Sequence, residues 1–482
     1  MSWASLEGRL EAMGRAYPQL KSLLPKLGHF VREASDTSLE RINVLGWAKG
    51  EGVSEGDALD LFLCASHAGI FDLAWNLMCP ACGLHVATKG ALQQLERSAV
   101  CNFCRRPVTV SLDDTVEASF TVAEAVRRLP STRLGTLEEV RAHFTDAFYS
   151  RSLIRGPMHQ AIADSMERMA WIAPEASAVF DLELTEGSYA LVGANQHAIA
   201  HLEAGPGGAA VQSVEIIDGH LVGTSTLATG KVRLTVRNRT RHPALMLWSS
   251  TEWAKTFDWA SHVIAFMPFV SAKQLLTNQT FRELYRAQSV GTDGGMQLRS
   301  LAILFTDLTA STELYERVGD LQALALVRRH FEVLESVIAR ERGAVVKTIG
   351  DAVMASFAEP SRALAAAAAM HEEMAKLEAS ESLTLKIGVH VGSCVAIESN
   401  QQLDYFGRTV NVAARVQARA AAGEVVTTQD VFDHPAALEI ARTRFASSNS
   451  ERLHLKGIEG EVLVHRLRAF DGAVRDRATA PA

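Results

Sequence analysis

Two aspartates in the last third of this 482-residue chain stand where their carboxylates can meet. Asp307 follows a strongly apolar run that starts at Leu301 and predicts a buried strand. Asp351 lies in Gly350-Asp351, where two apolar runs meet, a pattern that predicts a tight β-hairpin with a carboxylate at its tip. Two carboxylates from adjacent strands suit a pair of magnesium ions that hold a triphosphate. For a single aspartate at a strand end, a turn cap is the commoner interpretation.

Polar groups near these aspartates and further along the chain extend the set. The segment from Leu308 to Thr312 is predicted to begin a helix, and Thr309 lies within it. Free backbone N–H groups at such a start form an anion site suited to phosphates. Asn411 and Arg415 are four residues apart, so on a helix an amide and a guanidinium share one face. Taken alone, that pair is usually interpreted as a solvated helix face.

Four of the six cysteines form two close pairs, Cys79-Pro-Ala-Cys82 and Cys101-Asn-Phe-Cys104. Residues 83–100 separate the pairs, a spacing at which four thiolates can close a tetrahedron around zinc. We therefore predict one structural Zn²⁺ per chain, because a fourth thiolate leaves no open position for water. The alternatives are a nucleic-acid-binding ribbon, for which only two neighbouring arginines supply a basic edge, and free or redox-active thiols.

The N-terminal elements change character along the chain. Residues 1–75 read as helical, with a capping sequence at Ser54, and the zinc-ribbon element covers residues 76–110. Residues 111–285 are mixed and largely β, because turn residues separate short alternating runs at about 180–250. This pattern predicts an antiparallel sandwich or half-barrel.

The elements that must position the aspartates come after a glycine-containing linker at residues 286–299. Residues 300–470 then read as strand, helix, hairpin, helix and strand, and residues 471–482 as a disordered tail. The first helix of this region shows one apolar stripe at spacings of three and four residues, formed by Leu324, Val327, Phe331, Leu334 and Ile338.

Composition narrows the classes of partner. A net charge of −7 gives no electrostatic reason to expect nucleic acid or a membrane surface as a partner. No apolar stretch approaches the roughly 18 residues that span a bilayer, and the N-terminus lacks the basic-then-apolar layout of a signal peptide. We therefore expect a cytoplasmic protein without a membrane span, whose partner is a small molecule or a protein.

The C-terminal motifs together resemble those of the class III adenylate and guanylate cyclases over roughly residues 300–468. The matching segments are Phe305-Thr306-Asp307, Lys347-Thr348-Ile349-Gly350-Asp351 and the stretch from Asp404 to Arg415. Every position of the family's pattern is filled. The resemblance implies an α+β fold with a ferredoxin-like cyclase domain at the C-terminus, preceded by a helical region with a zinc ribbon and a β-rich domain.

This resemblance also implies an activity and the residues that carry it. The domain is expected to be an adenylate cyclase that converts ATP to 3′,5′-cyclic AMP and pyrophosphate with two Mg²⁺ or Mn²⁺ ions. Because the family shares each active site between two chains, a homodimer is implied as well. The implied roles are metal binding by Asp307, Asp351 and the Leu308 backbone carbonyl, adenine recognition by Lys347 and Asp404, transition-state stabilisation by Asn411 and Arg415, and triphosphate binding by Thr309 and Lys456.

Residues 1–285 resemble a domain of unknown function that precedes cyclase domains in some bacteria, most clearly at Trp75–Pro80 and Arg241-His242-Pro243. We interpret this part as a sensor or regulatory module. Three rival interpretations of the chain stay open. It could be a cyclase-like module without activity, which would usually have lost a metal aspartate, the asparagine or the arginine; a guanylate cyclase; or a nucleic-acid-binding zinc ribbon, which the acidic balance disfavours.

Overall fold

The computed structural model describes residues 3–129, 134–217, 219–261, 263–285, 295–309, 316, 318–376, 384–399 and 402–469. The chain divides into two compact units. The first comprises Met1–Gly90, Leu95–Val110 and Thr115–Val270, and the second comprises Ala91–Gln94, Ser111–Asp114 and Ser271–Ala482.

Three features predicted from the sequence lie outside the described residues. They are most of the linker (286–294), part of the phosphate-binding helix start (310–312) and the tail (471–482). For these segments the expectations remain predictions.

The first unit begins with helices, as the sequence predicts. Ser54 caps one of them, because its hydroxyl oxygen accepts a hydrogen bond from the backbone N–H of Asp57 at 3.1 Å. The buried face of that helix includes Phe62, whose ring stacks on Phe71 with a centroid distance of 4.9 Å. The helices of this unit are Trp3–Ala16, Leu24–Glu33, Val44–Glu51, Glu55–His67, Leu137–Phe148, Pro157–Asp164 and Trp253–Thr256.

A small antiparallel sheet and a separate hairpin carry the cysteine region. The sheet has the order β2-β1-β5, so that β1 lies in its middle, and β3 pairs with β4. These strands are β1 (Phe71–Met78), β2 (His85–Lys89), β3 (Ser98–Val100), β4 (Pro107–Thr109) and β5 (Val116–Val122).

The predicted β-rich part is confirmed as two sheets that share one apolar core. Alternation is clearest in β7, where Phe180, Leu182 and Leu184 are buried between exposed neighbours. The sheets have the orders β12-β9-β8-β14-β6 and β11-β10-β13-β7. Their strands are β6 (Met166–Ile172), β7 (Ser177–Leu184), β8 (Gly187–Gly193), β9 (Ala198–Ala209), β10 (Val211–Ile217), β11 (His220–Gly223), β12 (Thr226–Leu227), β13 (Gly230–Asn238) and β14 (Ala244–Ser250).

The strand pairing departs from a purely antiparallel sandwich. β10 pairs with β13 in parallel, and β9 pairs with β12 in parallel. The residues between β10 and β13 form β11 and β12, so the chain enters β13 running in the same direction as β10. Alternation of apolar residues is the same for both pairings, so the sequence pattern did not distinguish them.

The second unit is built on one sheet with the order β16-β17-β15-β18-β20-β22-β21, and β19 pairs with β18. Its central strands β15 and β18 form a long antiparallel ladder. The strands are β15 (Met296–Thr309), β16 (Gly343–Ile349), β17 (Ala352–Phe357), β18 (Thr384–Ser399), β19 (Gln402–Phe406), β20 (Glu424–Thr428), β21 (Phe445–His454) and β22 (Glu461–Ala469).

Helices of the second unit pack on this sheet through an alanine-rich core that includes the buried residues 363–370. In the described part of the chain, no helix is both long and apolar enough to cross a membrane. The helices of this unit are Ala272–Leu276, Gln279–Leu284, Asp320–Arg340, Pro360–Lys376, Arg408–Gln417, Gln429–Phe432 and Pro435–Arg444.

The buried stripe of the helix Asp320–Arg340 begins at Ala323 rather than at the predicted Leu324. Leu324 is 41% exposed, whereas Ala323 is fully buried together with Val327 and Leu334. Val327 and Leu334 belong to the same buried core as residues of the alanine-rich helix Pro360–Lys376. Helical spacing alone favoured the larger leucine and was wrong at this position.

Candidate active site

Asp307 and Asp351 are carried to the same end of two paired strands. β15 and β17 are antiparallel, with Phe305 opposite Met354. Continuing this register by two residues brings Asp307 level with Ala352, the sequence neighbour of Asp351. This extrapolated register brings the two predicted metal ligands to the same end of β15 and β17.

Two local features hold the turn that carries Asp351. Gly350 has a φ of +65°, which glycine adopts without steric cost and which the first central residue of a type II′ hairpin turn requires. The hydroxyl oxygen of the buried Thr306 accepts a hydrogen bond from the backbone N–H of Val353 at 3.1 Å, which ties the end of β15 to the start of β17. No motif marks this hydroxyl in the sequence beyond its place directly before Asp307.

The oxygen atoms at this edge fit a divalent cation. Asp351 Oδ2 is buried and has no hydrogen-bond partner among the described residues, and the same holds for Thr309 Oγ1. Burying a carboxylate oxygen without a donor is costly, and a bound cation removes that cost. Carboxylate and carbonyl oxygens are the ligands that Mg²⁺ and Mn²⁺ prefer.

Lys347 and Asp404 form a direct ion pair, although 57 residues separate them in the sequence. Lys347 Nζ donates to Asp404 Oδ2 at 2.6 Å, and Asp404 Oδ1 accepts from the backbone N–H of Tyr405 at 2.8 Å. The Lys347 side chain is 40% exposed and that of Asp404 is 16% exposed, so the pair lies at an accessible edge. A donor and an acceptor are thereby fixed side by side, as recognition of a planar base requires.

Asn411 and Arg415 lie on the exposed face of the helix Arg408–Gln417. The opposite face of that helix is buried and includes Val412 and Val416. The two side chains therefore share one accessible face, as their spacing predicts.

Glycine in β18 lets this helix approach the sheet closely. A Cβ atom on Gly388 would lie 2.3 Å from the backbone nitrogen of Gln417, the last residue of the helix. Because the clashing atoms include backbone, a side-chain rotation cannot relieve the overlap. Gly388 thus helps to set the position of the helix that carries Asn411 and Arg415.

We expect Gly388→Ala to lower the free energy of unfolding of the second unit by about 1–3 kcal/mol, the usual cost of overpacking. Calorimetric thermal unfolding of the variant measures this change. Gly8→Ala is the control, because a Cβ atom on Gly8 meets no atom within 4 Å, and it should not destabilise the protein. Equal unfolding temperatures for the wild type and Gly388→Ala would contradict the close-approach explanation.

The structure leaves the two predicted triphosphate contacts as predictions. Leu308 and Thr309 are the last two residues of β15, because the ladder with β18 continues through them, so the prediction that a helix begins at Leu308 is wrong for these two positions. The residues that follow Thr309 lie outside the described part. Lys456 is exposed in the turn between β21 and β22, after the buried Leu455. No described contact joins Lys456 to the aspartate edge.

The four paired cysteines of the first unit come together in space. Their Sγ atoms all lie within 4.8 Å of one another, and the separation is 3.6 Å both for Cys79–Cys104 and for Cys82–Cys101. A disulfide needs about 2.05 Å, so these distances describe thiols rather than bonds. The donor set and its compactness fit a tetrahedral Zn²⁺ site.

Matching turns present the two cysteine pairs. The backbone N–H of Gly83 donates to the carbonyl of Cys79 at 2.8 Å, and that of Arg105 donates to Cys101 at 2.8 Å. Both residues after the second cysteine have positive φ, +78° at Gly83 and +54° at Arg105. The two cysteine pairs thus form the same kind of local turn.

Two family profiles match different parts of the chain. Residues 18–283 match the family of unknown function DUF5939, and residues 296–469 match the adenylate and guanylate cyclase catalytic domain. The two matches agree with the two family resemblances seen in the sequence.

Individual proteins match the cyclase part. A putative adenylate cyclase 3 of Rhizobium meliloti is 33% identical over 140 residues, which are 28% of this chain and 23% of that protein. An adenylate cyclase of Mycosarcoma maydis is 29% identical over 155 residues, which are 27% of this chain and 6% of that protein. This chain thus spans less than a quarter of either relative.

Among solved structures, the adenylyl cyclase CyaB from P. aeruginosa is 20% identical, with coverage of 37% of this chain and 97% of that chain and a TM-score of 0.32. The two family matches by themselves assign both parts of the sequence. The chain belongs to the DUF5939 family, and its residues 296–469 are an adenylate and guanylate cyclase catalytic domain.

Proposed function

We propose that this protein is an adenylate cyclase that converts ATP to 3′,5′-cyclic AMP and pyrophosphate. The observation that carries the proposal is the pair of Lys347 Nζ and Asp404 Oδ2, 2.6 Å apart at an accessible edge of the catalytic domain. The relatives named adenylate cyclases support the same assignment.

The hydrogen-bond polarity of this pair selects adenine. The Lys347 ammonium can donate to adenine N1, and the Asp404 carboxylate can accept from the exocyclic amine. Guanine presents an N–H at N1 and a carbonyl oxygen at C6, which is the opposite polarity at both places. With GTP bound, Lys347 and Asp404 would each face a group of the same hydrogen-bond polarity. Both side chains would lose their hydration without gaining a hydrogen bond, so ATP is favoured over GTP.

The remaining site residues have roles in the reaction of the triphosphate. Asp307, Asp351 and the backbone carbonyl of Leu308 would hold two Mg²⁺ or Mn²⁺ ions, which supply Lewis-acid activation of the ribose 3′-hydroxyl and charge neutralisation. Asn411 and Arg415 would donate hydrogen bonds to the phosphate oxygens on which negative charge grows as the 3′-oxygen attacks the α-phosphorus.

Triphosphate binding and pyrophosphate departure complete the assignment. Thr309 and Lys456 would bind the triphosphate, and Lys456 would offset the charge of the departing pyrophosphate. The role of Lys456 rests on the family resemblance alone.

A guanylate cyclase is the rival function, and product identification separates the two. Purified full-length protein is incubated with Mg²⁺ or Mn²⁺ and either ATP or GTP, and the products are resolved by chromatography and mass spectrometry. Cyclic AMP as the main product supports the proposal. Formation of cyclic GMP from GTP at an equal or higher kcat/KM, or no cyclic product with either nucleotide, contradicts it.

The double variant Lys347→Glu with Asp404→Cys should weaken the use of ATP and raise the relative use of GTP. Its glutamate accepts where Lys347 donated, and its cysteine removes the acceptor for the exocyclic amine. We expect the ratio of kcat/KM for ATP to that for GTP to fall by a factor on the order of 100, since discrimination rests on hydrogen-bond polarity. Steady-state kinetics with both nucleotides measures this ratio.

A matched control makes the same charge changes at an exposed pair in the same unit. Lys376 and Glu373 form an ion pair at 3.1 Å on the helix Pro360–Lys376. Lys376→Glu with Glu373→Cys should leave the ATP-to-GTP ratio unchanged. If the Lys347/Asp404 variant behaves like this control, those two residues do not read the base.

We also infer that two chains form a homodimer with shared active sites, and that residues 18–283 act as a sensor or regulatory module. The exposure of Asn411 and Arg415 in the single chain is compatible with a site completed by a second copy. The DUF5939 match and the separate compact unit support a module distinct from the catalytic domain.

A further inference from the structure

Arg282 joins the two strands that carry Lys347 and Asp404. Its Nε donates to the carbonyl of Val345 at 3.1 Å, and its Nη2 donates to the carbonyl of Leu403 at 2.6 Å. Leu403 directly precedes Asp404, and Val345 lies two residues before Lys347. A weaker contact at 3.4 Å reaches the carbonyl of Val346.

This link matters because each of the two strands forms its backbone hydrogen bonds with a different strand. β16, with Lys347, pairs with β17, and β19, with Asp404, pairs with β18. We call Lys347 and Asp404 the base-reading pair. The separation of these two side chains therefore depends on groups that bridge β16 and β19. A guanidinium suits the task, since its planar fork of donors can hold carbonyls from two strands at once.

Neighbouring contacts hold Arg282 in place. The Gln279 side-chain oxygen accepts from the backbone N–H of Val345 at 2.9 Å, one helical turn before Arg282. The Arg282 guanidinium lies 5.9 Å from the centre of the Tyr405 ring, and the buried Tyr405 hydroxyl donates to the carbonyl of Leu276 at 3.1 Å. Residues 276–282 thus contact both strands next to the base-reading pair.

We propose that Arg282 is a positioning residue for the nucleotide base: it sets the separation and orientation of Lys347 and Asp404. This inference rests on the proposed adenylate cyclase function. Arg282 lies within the residues matched by DUF5939 and outside those matched by the cyclase catalytic domain. Base selection is therefore controlled in part by the segment that precedes the catalytic domain.

The test separates positioning from simple loss of stability by comparing two nucleotides in Arg282→Met. Losing the fork should weaken adenine recognition specifically. We expect KM for ATP and Kd for 3′-deoxy-ATP, which cannot cyclise, to rise roughly tenfold, the effect of about 1.4 kcal/mol. The corresponding values for GTP and 3′-deoxy-GTP should change less than about twofold, as should kcat at saturating ATP.

Two further variants sharpen the comparison. Arg282→Lys keeps the charge but lacks the fork, so we expect an intermediate loss of selectivity, about threefold. Lys273→Met removes another anchor of the same segment, because Lys273 Nζ contacts Asp113 Oδ1 at 3.0 Å and the carbonyl of Ser300 at 3.3 Å. It should leave the ATP-to-GTP ratio unchanged.

Equal changes for both nucleotides in Arg282→Met, or a selectivity loss of the same size in Lys273→Met, would overturn the positioning role. If Arg282→Met does not fold, Arg282→Lys decides, and wild-type selectivity in that variant rejects the inference. The Lys347/Asp404 double variant, measured in parallel, tests the base site itself. A shift in that variant without one at Arg282 rejects only this inference, whereas no shift in the double variant rejects the proposed base site.

Discussion

A mixed dimer of Asp351→Ala and Arg415→Ala chains is expected to recover cyclase activity that neither variant has as a homodimer. In the proposed shared site, one chain supplies Asp307 and Asp351, and the other supplies Lys347, Asp404, Asn411 and Arg415. Each homodimeric variant then carries its defect in both sites, so turnover should fall by a factor on the order of 100 to 1000 or more. In the mixed dimer, one site collects both defects and the other collects none.

The expected activity of the purified mixed dimer is about half that of the wild type, because one of two equivalent sites is intact. The two chains are co-expressed with different tags, and the mixed dimer is isolated by two successive affinity steps. Cyclic AMP formation per dimer is the measurement.

A second mixed dimer provides the control. Asp307→Ala and Asp351→Ala both remove metal ligands, so every site of their mixed dimer contains one defect, whichever chain supplies it. This control should stay inactive. If the verified Asp351→Ala/Arg415→Ala dimer is no more active than the control, the shared-site arrangement is wrong for this protein.

Replacement of Cys82 should have the largest effect on stability, because we propose that its thiolate closes a structural zinc site. Structural zinc contributes about 10–16 kcal/mol in small zinc-dependent folds, as much as the whole stability of an ordinary domain. We expect one zinc per wild-type chain, and for Cys82→Ser little bound zinc and a locally unfolded cysteine region. Elemental analysis of untagged protein measures the metal, and hydrogen exchange over residues 76–110 measures the unfolding.

Cys64→Ala is the matched control for loss of a buried thiol in the same unit. Cys64 is 2% exposed in the helix Glu55–His67, and the four-sulfur cluster does not include it. This variant should keep its zinc. Wild-type protein with well under one zinc per chain while all four thiols are reduced would contradict the zinc assignment.

The zinc experiment also bears on the proposed regulatory role. If residues 18–283 do not influence the catalytic domain, Cys82→Ser should leave kcat and KM for ATP unchanged. If these residues regulate turnover, kcat should change although Asp307, Asp351 and the base-reading pair are intact. Measurement of both constants on the folded fraction separates these outcomes.

The sequence by itself determined the features whose geometry is local. The hairpin at Gly350-Asp351 follows from one turn between two apolar runs, and each cysteine pair follows from one short knuckle. The strands between residues 177 and 250 follow from alternation. In these cases a few residues that are neighbours in the sequence determine the conformation, so the sequence pattern alone predicts it.

Family resemblance supplied the pairing of Lys347 with Asp404, and tertiary structure decided what local patterns leave open. Helical spacing favoured Leu324 for the buried stripe, whereas in the folded chain Ala323 is buried in its place. Alternation likewise left the parallel pairing of β10 with β13 undetermined. The role of Arg282 depends on carbonyls 63 and 121 residues away, and a backbone carbonyl carries no mark in the sequence. Contacts of this kind exist only after the sheet has brought distant strands together, so no local sequence motif predicts them.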